Sequence, residues 1–181
     1  VPGWEGAASV KWLTRITVQE READGFFMVT AYRYPNRPVA PGEAVDPADM
    51  QVLTLLDVKS IITAPREGAV FAPGAPMEIR GAAWAGEAEV TRVQVSTDRG
   101  RTWQPAALGS ERERFAWRRF SFTWKAPGRG SYGLMSRATD TQGRVQPIAP
   151  QWNPSGYLWN VVDQVRIHVA EGAPPAPPAA A

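Results

Sequence analysis

MEIRGAAWAGEAEVTRVQVSTDRGRTW, residues 77–103, is the stretch that decides the fold. From Met77 onward, small or apolar residues alternate with polar ones, which is the period of a half-buried β-strand, and this strand ends at Trp84. The alternation resumes at Val93 and Val95. The stretch therefore predicts two neighbouring strands that each bury one face.

The end of that stretch predicts a compact hairpin turn. In Ser96-x-Asp98-x-Gly100-x-Thr102-Trp103, Asp98 can accept hydrogen bonds from the turn amides and Gly100 can take a positive φ. The spacing matches the Asp-box pattern, which resembles the repeats of sialidase propellers. A propeller needs several copies, and this sequence has one, so the motif is interpreted as a structural turn.

Short apolar runs separated by turn signals continue on both sides of this stretch. Phe115 and Trp117 have the opposite parity to Phe120, which predicts a bulge near Arg118 and Arg119. Seven or so short antiparallel strands are typical of an all-β sandwich of the immunoglobulin-like (E-set) type, here without a disulfide. The runs lie at 52–63, 120–124, 132–139 and 165–169.

The composition excludes several classes of function. The chain has 181 residues, a net charge of +2 and 44% hydrophobic residues, so it offers no strong electrostatic case for a nucleic-acid partner. No apolar run is long enough to cross a membrane. With no Cys and a single His, His168, a thiolate metal site, a Cys nucleophile and a Ser-His-Asp triad are poorly supplied.

The first thirteen residues, VPGWEGAASVKWL, contain the parts of an anion site. Small residues free the backbone amides, and Ser9 and Lys11 add a hydroxyl and an ammonium. A plain turn leading into a strand over 11–18, with Trp12 and Leu13 as its first core residues, is the alternative. The start also lacks an initiator Met and a signal-like segment, which predicts a processed end or a cut within a larger protein.

Residues 19–49 predict a long irregular segment, because they carry four prolines and no lasting period. The aromatic groups at 26–28 and 32–34 are unusual for a free linker, so we expect another domain to cover this segment. The Ala/Pro-rich residues 172–181 predict a disordered tail.

Eight Trp residues exceed the need of an ordinary core of this size. Four fall at predicted strand positions and are expected in the core, whereas Trp152 and Trp159 lie in a loop and are better interface candidates. We also considered that Arg99, Arg101, Arg118 and Arg119 gather on one side of the sandwich. The four predicted core tryptophans are Trp84, Trp103, Trp117 and Trp124.

Together these segments resemble the C-terminal part of a sulfite oxidase-family molybdenum enzyme. The resemblance covers nearly the whole chain up to residue 169. It rests on VPGWEGAASVKWL at 1–13, RGAAWAGEAEVTRVQVSTDRGRTW at 80–103, FAWRRFSFTW at 115–124, RATDTQGRVQP at 137–147 and QWNPSGYLWN at 151–160.

The resemblance implies a division of the chain and a set of partners. Residues 1–49 would be the last piece of a molybdopterin-binding domain, 50–171 an immunoglobulin-like dimerisation domain, and 172–181 the tail. The implied partners are the rest of the molybdopterin-binding domain, a second copy in a homodimer and, as a further candidate, a cytochrome electron acceptor. No nucleic acid or membrane partner is expected. The resemblance also implies a periplasmic location, since that is where bacterial members of the family are found.

The resemblance also implies the site residues. Ser9, Val10 and Lys11 match positions that contact the molybdenum–molybdopterin cofactor, with Lys11 near its phosphate, and Tyr32 matches an active-site Tyr. Ser155 stands where sulfite oxidases have a substrate-binding Arg, so a related sulfur compound or another small oxyanion is as suitable a substrate as sulfite.

The chain lacks the Cys that ligates molybdenum in this family, so we expect it to be inactive alone. The alternative is a stand-alone immunoglobulin-like module for carbohydrate or protein adhesion. That alternative predicts that the N-terminal segment folds onto its own sandwich. The enzyme-fragment hypothesis predicts exposed apolar residues around Trp4, Trp12 and 26–28.

Overall fold

The computed structural model describes residues 1–171, and nearly all of its regular structure is β. Two 3₁₀ turns and one short π-helix, at Gly6–Ala8, Pro47–Asp49 and Phe27–Ala31, are the helical pieces of this part. The strands are β1 Arg33–Pro35, β2 Met50–Val52, β3 Lys59–Ala64, β4 Val70–Phe71, β5 Pro76–Trp84, β6 Val90–Ser96, β7 Gln104–Pro105, β8 Ala107–Leu108, β9 Arg118–Lys125, β10 Gly130–Asp140 and β11 Gln164–Val169.

Nine of these strands form two sheets that pack face to face. One sheet has the order β4-β11-β10-β6-β7 and the other the order β3-β5-β9-β8, while β1 and β2 form a separate ribbon. All the pairings are antiparallel except β4 with β11, which is parallel. The predicted all-β sandwich is therefore confirmed. The tail predicted at 172–181 lies outside the described residues.

The core lies between the sheets, and the neighbouring strands β5 and β9 supply one of its two layers. Met77 is opposite Trp124, Ile79 is opposite Phe122, and Gly81 is opposite Phe120. The other layer supplies aliphatic side chains that are almost fully buried, namely Val93, Val95, Leu134 and Ile167. The apolar positions of the alternating pattern over residues 77–95 are thus the residues that point inward from β5 in one sheet and from β6 in the other.

Gly81 shows how tightly β5 is packed between its neighbours β3 and β9. A Cβ placed on it would lie 2.1 Å from the carbonyl oxygen of Ile61 and 2.3 Å from the Phe120 ring. Only a residue without a side chain fits here, because protein interiors are close-packed.

A buried polar group joins the two layers. The Gln146 side-chain oxygen accepts hydrogen bonds from the Ser60 amide at 2.8 Å, the Ser60 hydroxyl at 2.8 Å and the Ala138 amide at 3.2 Å. Ser60 of β3 and Ser136 of β10 also share a hydroxyl–hydroxyl hydrogen bond of 3.0 Å. A buried side chain with this many partners avoids the cost of unsatisfied polar groups.

The Asp turn is built as the motif predicts. Asp98 accepts hydrogen bonds from the Thr102 amide at 2.9 Å and the Thr102 hydroxyl at 2.6 Å. Gly100 has a φ of 82° and donates its amide to the Ser96 hydroxyl at 2.8 Å. The motif is therefore a self-contained turn in this sandwich.

The prediction of a strand over residues 11–18 is wrong. These residues form no ladder with any strand of the described chain, and Trp12 is 96% exposed. Leu13, Ile16 and Val18 are exposed as well. Their apolar pattern has no neighbouring backbone to pair with, and a strand needs such a partner.

Two smaller expectations are also corrected. The run at 52–63 is not continuous, because β2 ends at Val52 and β3 begins at Lys59. The bulge predicted near residues 118–119 is absent from the described strands. Phe115 instead takes a positive φ of 64° before β9 begins, which changes the parity without a bulge.

The tryptophan and arginine expectations are partly wrong. Trp117 is 59% exposed and stacks on the half-buried Trp84, with ring centroids 5.0 Å apart. Trp103 lies under the guanidinium of Arg137, and of the four predicted core tryptophans Trp124 is the one that packs against the buried cluster of the described residues. Arg99 and Arg101 belong to the turn after β6, whereas Arg118 and Arg119 begin β9 in the other sheet. The four arginines therefore do not form one cluster.

Candidate functional site

The segment with Ser9, Val10 and Lys11 follows the first 3₁₀ turn. The Ser9 amide donates to the Gly6 carbonyl at 2.9 Å. All three side chains are exposed, Val10 by 71%. Their hydroxyl and ammonium groups therefore face outward rather than into the sandwich.

The preceding residues attach this segment to the domain. Trp4 forms an isolated bridge with Leu55, and the Glu5 amide donates to the Thr54 carbonyl at 2.8 Å. The Leu56 amide donates to the Gly3 carbonyl at 2.9 Å. The attachment ends at the 3₁₀ turn, so residues 9–24 run on without such anchors.

Tyr32 ends the π-helical turn Phe27–Ala31. Its ring stacks on Phe27 with centroids 5.4 Å apart, and it meets Tyr157 edge-on at 6.1 Å. Its carbonyl accepts the Leu53 amide at 2.8 Å. The structure therefore brings Tyr32 to the loop that contains Ser155.

That loop, residues 153–160, is closed by its own polar groups. The Asn153 side-chain amide donates to the Tyr157 carbonyl at 2.8 Å, and the Tyr157 amide donates to the Asn153 side-chain oxygen at 3.1 Å. Gly156 has a φ of 69° within this turn. Ser155 lies exposed at the tip, so a longer side chain would fit there without displacing the core.

Three contacts hold the loop on the sandwich. Asn160 donates to the Val58 carbonyl at 3.2 Å, and the Lys59 ammonium donates to the Trp159 carbonyl at 2.9 Å. The Gln146 side-chain amide donates to the Val161 carbonyl at 3.3 Å. The sandwich thus fixes the position of the residues that face Tyr32.

A small polar cavity of about 70 Å³ lies between this loop and β1. Burial raises the pKa of Asp57, an effect opposed by the guanidinium of Arg144 and reinforced by the charge of Asp140. Burial, and then the charge of Asp57, raises the pKa of Tyr34. The cavity is lined by Tyr34, Arg37, Asp57, Asn153, Tyr157 and Asn160, among others.

Sequence reasoning missed Tyr34, Asp57 and Tyr157 as neighbours. Asp57 directly follows the apolar Leu55 and Leu56. A carboxylate at the end of an apolar run was the signal that could have marked it as a candidate site residue. Nothing in the sequence placed residue 57 beside residue 157.

The structure does not bring all the predicted site residues together. Within residues 1–171, no hydrogen bond or ring contact joins Ser9, Val10 or Lys11 to Tyr32 or Ser155. In the same range, no three His, Cys, Asp or Glu side chains gather as metal ligands would. No helix in the described part is long and apolar enough to span a bilayer.

Known proteins resemble this chain over most of its length. Human mitochondrial sulfite oxidase is 36% identical over 178 residues, which cover 94% of this chain and 32% of that protein. Chicken sulfite oxidase is 35% identical over 165 residues, which cover 87% of this chain and 36% of that protein. The chain thus spans about a third of the length of these relatives.

A solved structure and a family match agree with these relatives. The sulfane dehydrogenase SoxCD from Paracoccus pantotrophus superposes with a TM-score of 0.69 at 29% identity, over 91% of this chain and 41% of that one. Residues 50–170 match the family described as the Mo-co oxidoreductase dimerisation domain. Since this match spans more than half of the 181 residues, the chain belongs to the Mo-co oxidoreductase dimerisation domain family.

Proposed function

We propose that this chain is the dimerisation domain and one edge of the cofactor site of a molybdenum-dependent oxidoreductase of the sulfite oxidase family. The whole enzyme would oxidise sulfite or a related sulfur compound or small oxyanion by two electrons. The observation that carries the proposal is the contact between Tyr32 and Tyr157, because it joins the proposed catalytic Tyr to the proposed substrate loop. The length of the relatives, about three times that of this chain, supports a larger whole protein.

The residues present fit one part of the cofactor. The Ser9 hydroxyl and the Lys11 ammonium are the donor types that suit a phosphate group, and both lie on an exposed segment. The chain has no Cys, so its proposed share of the site is the phosphate end and not the metal. When bound, the molybdenum–molybdopterin group would accept the two electrons, with water as the oxygen source.

The exposed apolar residues favour this proposal over a stand-alone adhesion module. Phe26 is 65% exposed, Phe27 is 60% exposed and Trp12 is 96% exposed, as the enzyme-fragment hypothesis predicts. A self-contained module would bury such side chains. Trp4 is only 37% exposed because it pairs with Leu55, and Met28 of the same predicted group is half-buried.

Lys11→Ala in the longer protein tests the cofactor role. We expect a lower molybdopterin content per protein, because one charge-assisted contact to the phosphate is lost. The measurement is the fluorescence of the released, oxidised pterin. Arg15→Ala is the matched control, since Arg15 is an exposed cation on the same segment. An unchanged content in the Lys11 variant, or an equal loss in both variants, would contradict the assignment.

Ser155→Arg tests the substrate class. If sulfite is a poor substrate because a guanidinium is missing, this variant should lower KM for sulfite by about tenfold or more, the effect of one charge-assisted anion contact. Ser155→Gln is the control for side-chain length without charge. Equal KM values for the wild type and both variants would remove Ser155 from the substrate site.

We also propose a periplasmic location and a cytochrome electron acceptor for the whole protein. These two proposals rest on the family resemblance. Cell fractionation tests the first. Reduction of purified c-type cytochromes by the whole protein with sulfite tests the second.

A further inference from the structure

We propose that the outer face of the β4-β11-β10-β6-β7 sheet binds an acidic segment of another protein through four arginines. The inference goes beyond the proposed function, since it uses none of the residues assigned to the cofactor or the substrate. The four arginines are Arg92, Arg99, Arg137 and Arg166. We call these arginines, together with Gln94 and Trp103, the basic face.

The first pair of arginines lies where β6 meets β10. Arg137 is opposite Gln94 in this ladder, and Arg92 is two residues before Gln94 on β6. Val93 and Ala138, which alternate with them, are fully buried in the core, so these three side chains point outward. Diagonal neighbours on adjacent strands are about 7 Å apart. Arg92 and Arg137 therefore form one cationic cluster.

The second pair lies where β10 meets β11. Arg166 is opposite Gly133, and Arg99 lies across the same glycine, because a Cβ built on Gly133 would be 2.7 Å from the Cγ of Arg99. The Arg99 amide also donates to the Gly133 carbonyl at 3.2 Å. Gly133 and Arg137 both belong to β10, where the rise of about 3.4 Å per residue separates the two clusters by about 13 Å.

The described chain supplies no anion to the basic face. The outward positions of β6, β10 and β11 contain no Asp or Glu, and none of the four arginines forms an ion pair within residues 1–171. Two carboxylates that border the face have other partners. Asp98 accepts the Thr102 hydroxyl at 2.6 Å, and Glu67 accepts the Arg166 amide at 2.6 Å. Without the four arginines the net charge of +2 would be −2.

Arg137 is already ordered for binding an anion. Its guanidinium lies over the Trp103 ring at 4.3 Å, and its Nε donates to the Gln94 side-chain oxygen at 3.0 Å. Burial, and then the charge of Arg92, lowers the pKa of Arg137. A half-buried cation without a counter-charge is unfavourable. A carboxylate bound here would reduce that cost and would contact a side chain whose position is already fixed.

Three features favour an acidic protein segment over other polyanions. One side of the half-buried Trp103 ring is covered by Arg137, which makes it a poor platform for a nucleic-acid base. The outward positions of β6 and β11 offer no apolar side chain for insertion into a membrane. The rest of the chain has an acidic excess, so a long polyanion reaching beyond the face would be repelled. A short run of Asp or Glu matches the guanidinium groups without that penalty.

The test is fluorescence anisotropy of a fluorescein-labelled peptide titrated with the chain at low and at physiological salt. The peptide is N-acetylated and carries two pairs of Glu whose spacing is about 13 Å in an extended strand. We expect saturable one-to-one binding that weakens as salt screens the exposed charges. Absence of saturable binding at low salt would overturn the proposal.

Single substitutions locate the binding surface. Arg137→Gln and Arg166→Gln should each raise the dissociation constant about tenfold, because each removes a charge-assisted contact. Arg112→Gln is the matched control, since Arg112 is an exposed arginine that precedes β9 of the other sheet. The control should change the constant by less than about threefold. Equal losses in all three variants would show that only net charge matters and would overturn the assignment to this face.

Two further variants are chosen because they preserve the fold. Arg99 has a φ of 62°, which glycine adopts without steric cost, so Arg99→Gly should stay folded and still weaken binding. Gln94→Glu keeps the side-chain shape and gives Arg137 a carboxylate within the chain, so it should weaken binding without removing a cation. Thermal unfolding followed by circular dichroism checks the fold of both. Unchanged affinity in a folded Gln94→Glu variant would overturn the proposal.

Competition distinguishes an acidic protein from the other classes of partner. A single-stranded oligonucleotide and vesicles of an anionic phospholipid are added to the complex of chain and peptide at the same concentration of negative charge. The proposal predicts that neither displaces the peptide, whereas the same peptide without its label does. Displacement by the oligonucleotide or by the vesicles would identify a phosphate-binding surface instead and would overturn the proposal.

Discussion

At the residue scale, the Asp98 carboxylate is the group whose charge the fold favours most clearly. The Thr102 hydroxyl, the Thr102 amide and the Ser96 hydroxyl donate to it, and they lower its pKa from 3.8 to about 2. The pKa in the folded state is therefore lower than in the unfolded chain. Its contribution to stability is complete above about pH 4 and is lost as the pH falls through about 2.

Asp98→Asn is expected to lower the thermal midpoint at pH 7, and the gap to the wild type should shrink from pH 4 to pH 2. Thermal unfolding followed by circular dichroism over this range measures the gap. Asp24→Asn is the control, since Asp24 is exposed and its side chain makes no hydrogen bond within residues 1–171. A gap that is constant with pH would show that the charge of Asp98 does not stabilise the turn.

The residue scale also shows what local chemistry can predict. Asp98 and Gly100 were predicted correctly, because the turn is formed entirely by side chains and amides within seven residues. Trp117 was placed in the core wrongly. Its direction depends on the irregular segment before β9, where Phe115 takes a positive φ, and an alternating pattern cannot be extended through such a segment.

At the element scale, the loop over 144–162 connects the sandwich to the candidate site. Gln146 binds Ser60 of β3, Ala138 of β10 and the Val161 carbonyl, so one side chain joins both sheets and the loop. It is 1% exposed. The position of Tyr157 relative to Tyr32 therefore depends on a buried hydrogen-bond network.

Gln146→Leu should lower the free energy of unfolding by about 3 kcal/mol or more, because several buried groups of Ser60 and Ala138 lose their partner at about 1–3 kcal/mol each. Urea denaturation measures this change. Hydrogen exchange over 144–162 should accelerate as well. Gln142→Leu is the control, since Gln142 is exposed and only its backbone amide is hydrogen-bonded. Equal stability losses in the two variants would refute a special role for residue 146.

The strands themselves were largely predictable from the period of the sequence. β5, β6, β9, β10 and β11 lie where the alternation placed them. The strand expected over 11–18 failed, because alternation records which side chains are apolar and not whether a partner strand is present. The strands β4, β7 and β8 are two residues long, which is too short for an alternating pattern to be recognised in the sequence.

At the scale of the whole molecule, the N-terminal segment and the sandwich differ in how far their apolar side chains are exposed. Trp12 and Val18 are each 96% exposed, whereas the side chains between the sheets are almost fully buried. The stability of the described part therefore comes from the sandwich. The apolar surface around residues 10–29 is available for contact with another protein segment.

Trp12→Ser combined with Val18→Ser should leave the free energy of unfolding of this chain unchanged within about 0.5 kcal/mol. Binding of the dye ANS to the folded chain should fall at the same time, because it reports exposed apolar surface. Trp124→Ser is the comparison, since Trp124 is half-buried against Tyr132 with centroids 5.0 Å apart, and it should cost about 2 kcal/mol or more. A marked loss of stability in the Trp12 variant would mean that the segment folds onto its own domain.

The candidate site was predictable only in part. Tyr32 and Ser155 were named through the family resemblance, and the structure places Tyr32 against Tyr157 of the loop that carries Ser155. The cavity between Tyr34 and Asp57 was not foreseen, because it forms from residues about a hundred positions apart in the chain. Contacts of that range follow from the sheet order, which no local pattern contains.

The hydroxyl pair between Ser60 and Ser136 has a chemical consequence. Immunoglobulin domains often join their two layers with a disulfide, whereas here the layers share a hydrogen bond of 3.0 Å and the chain has no thiol. An oxidant such as peroxide would find no cysteine to oxidise, and a reductant would find no disulfide to open. The junction between the layers therefore contains no thiol or disulfide whose oxidation state could change.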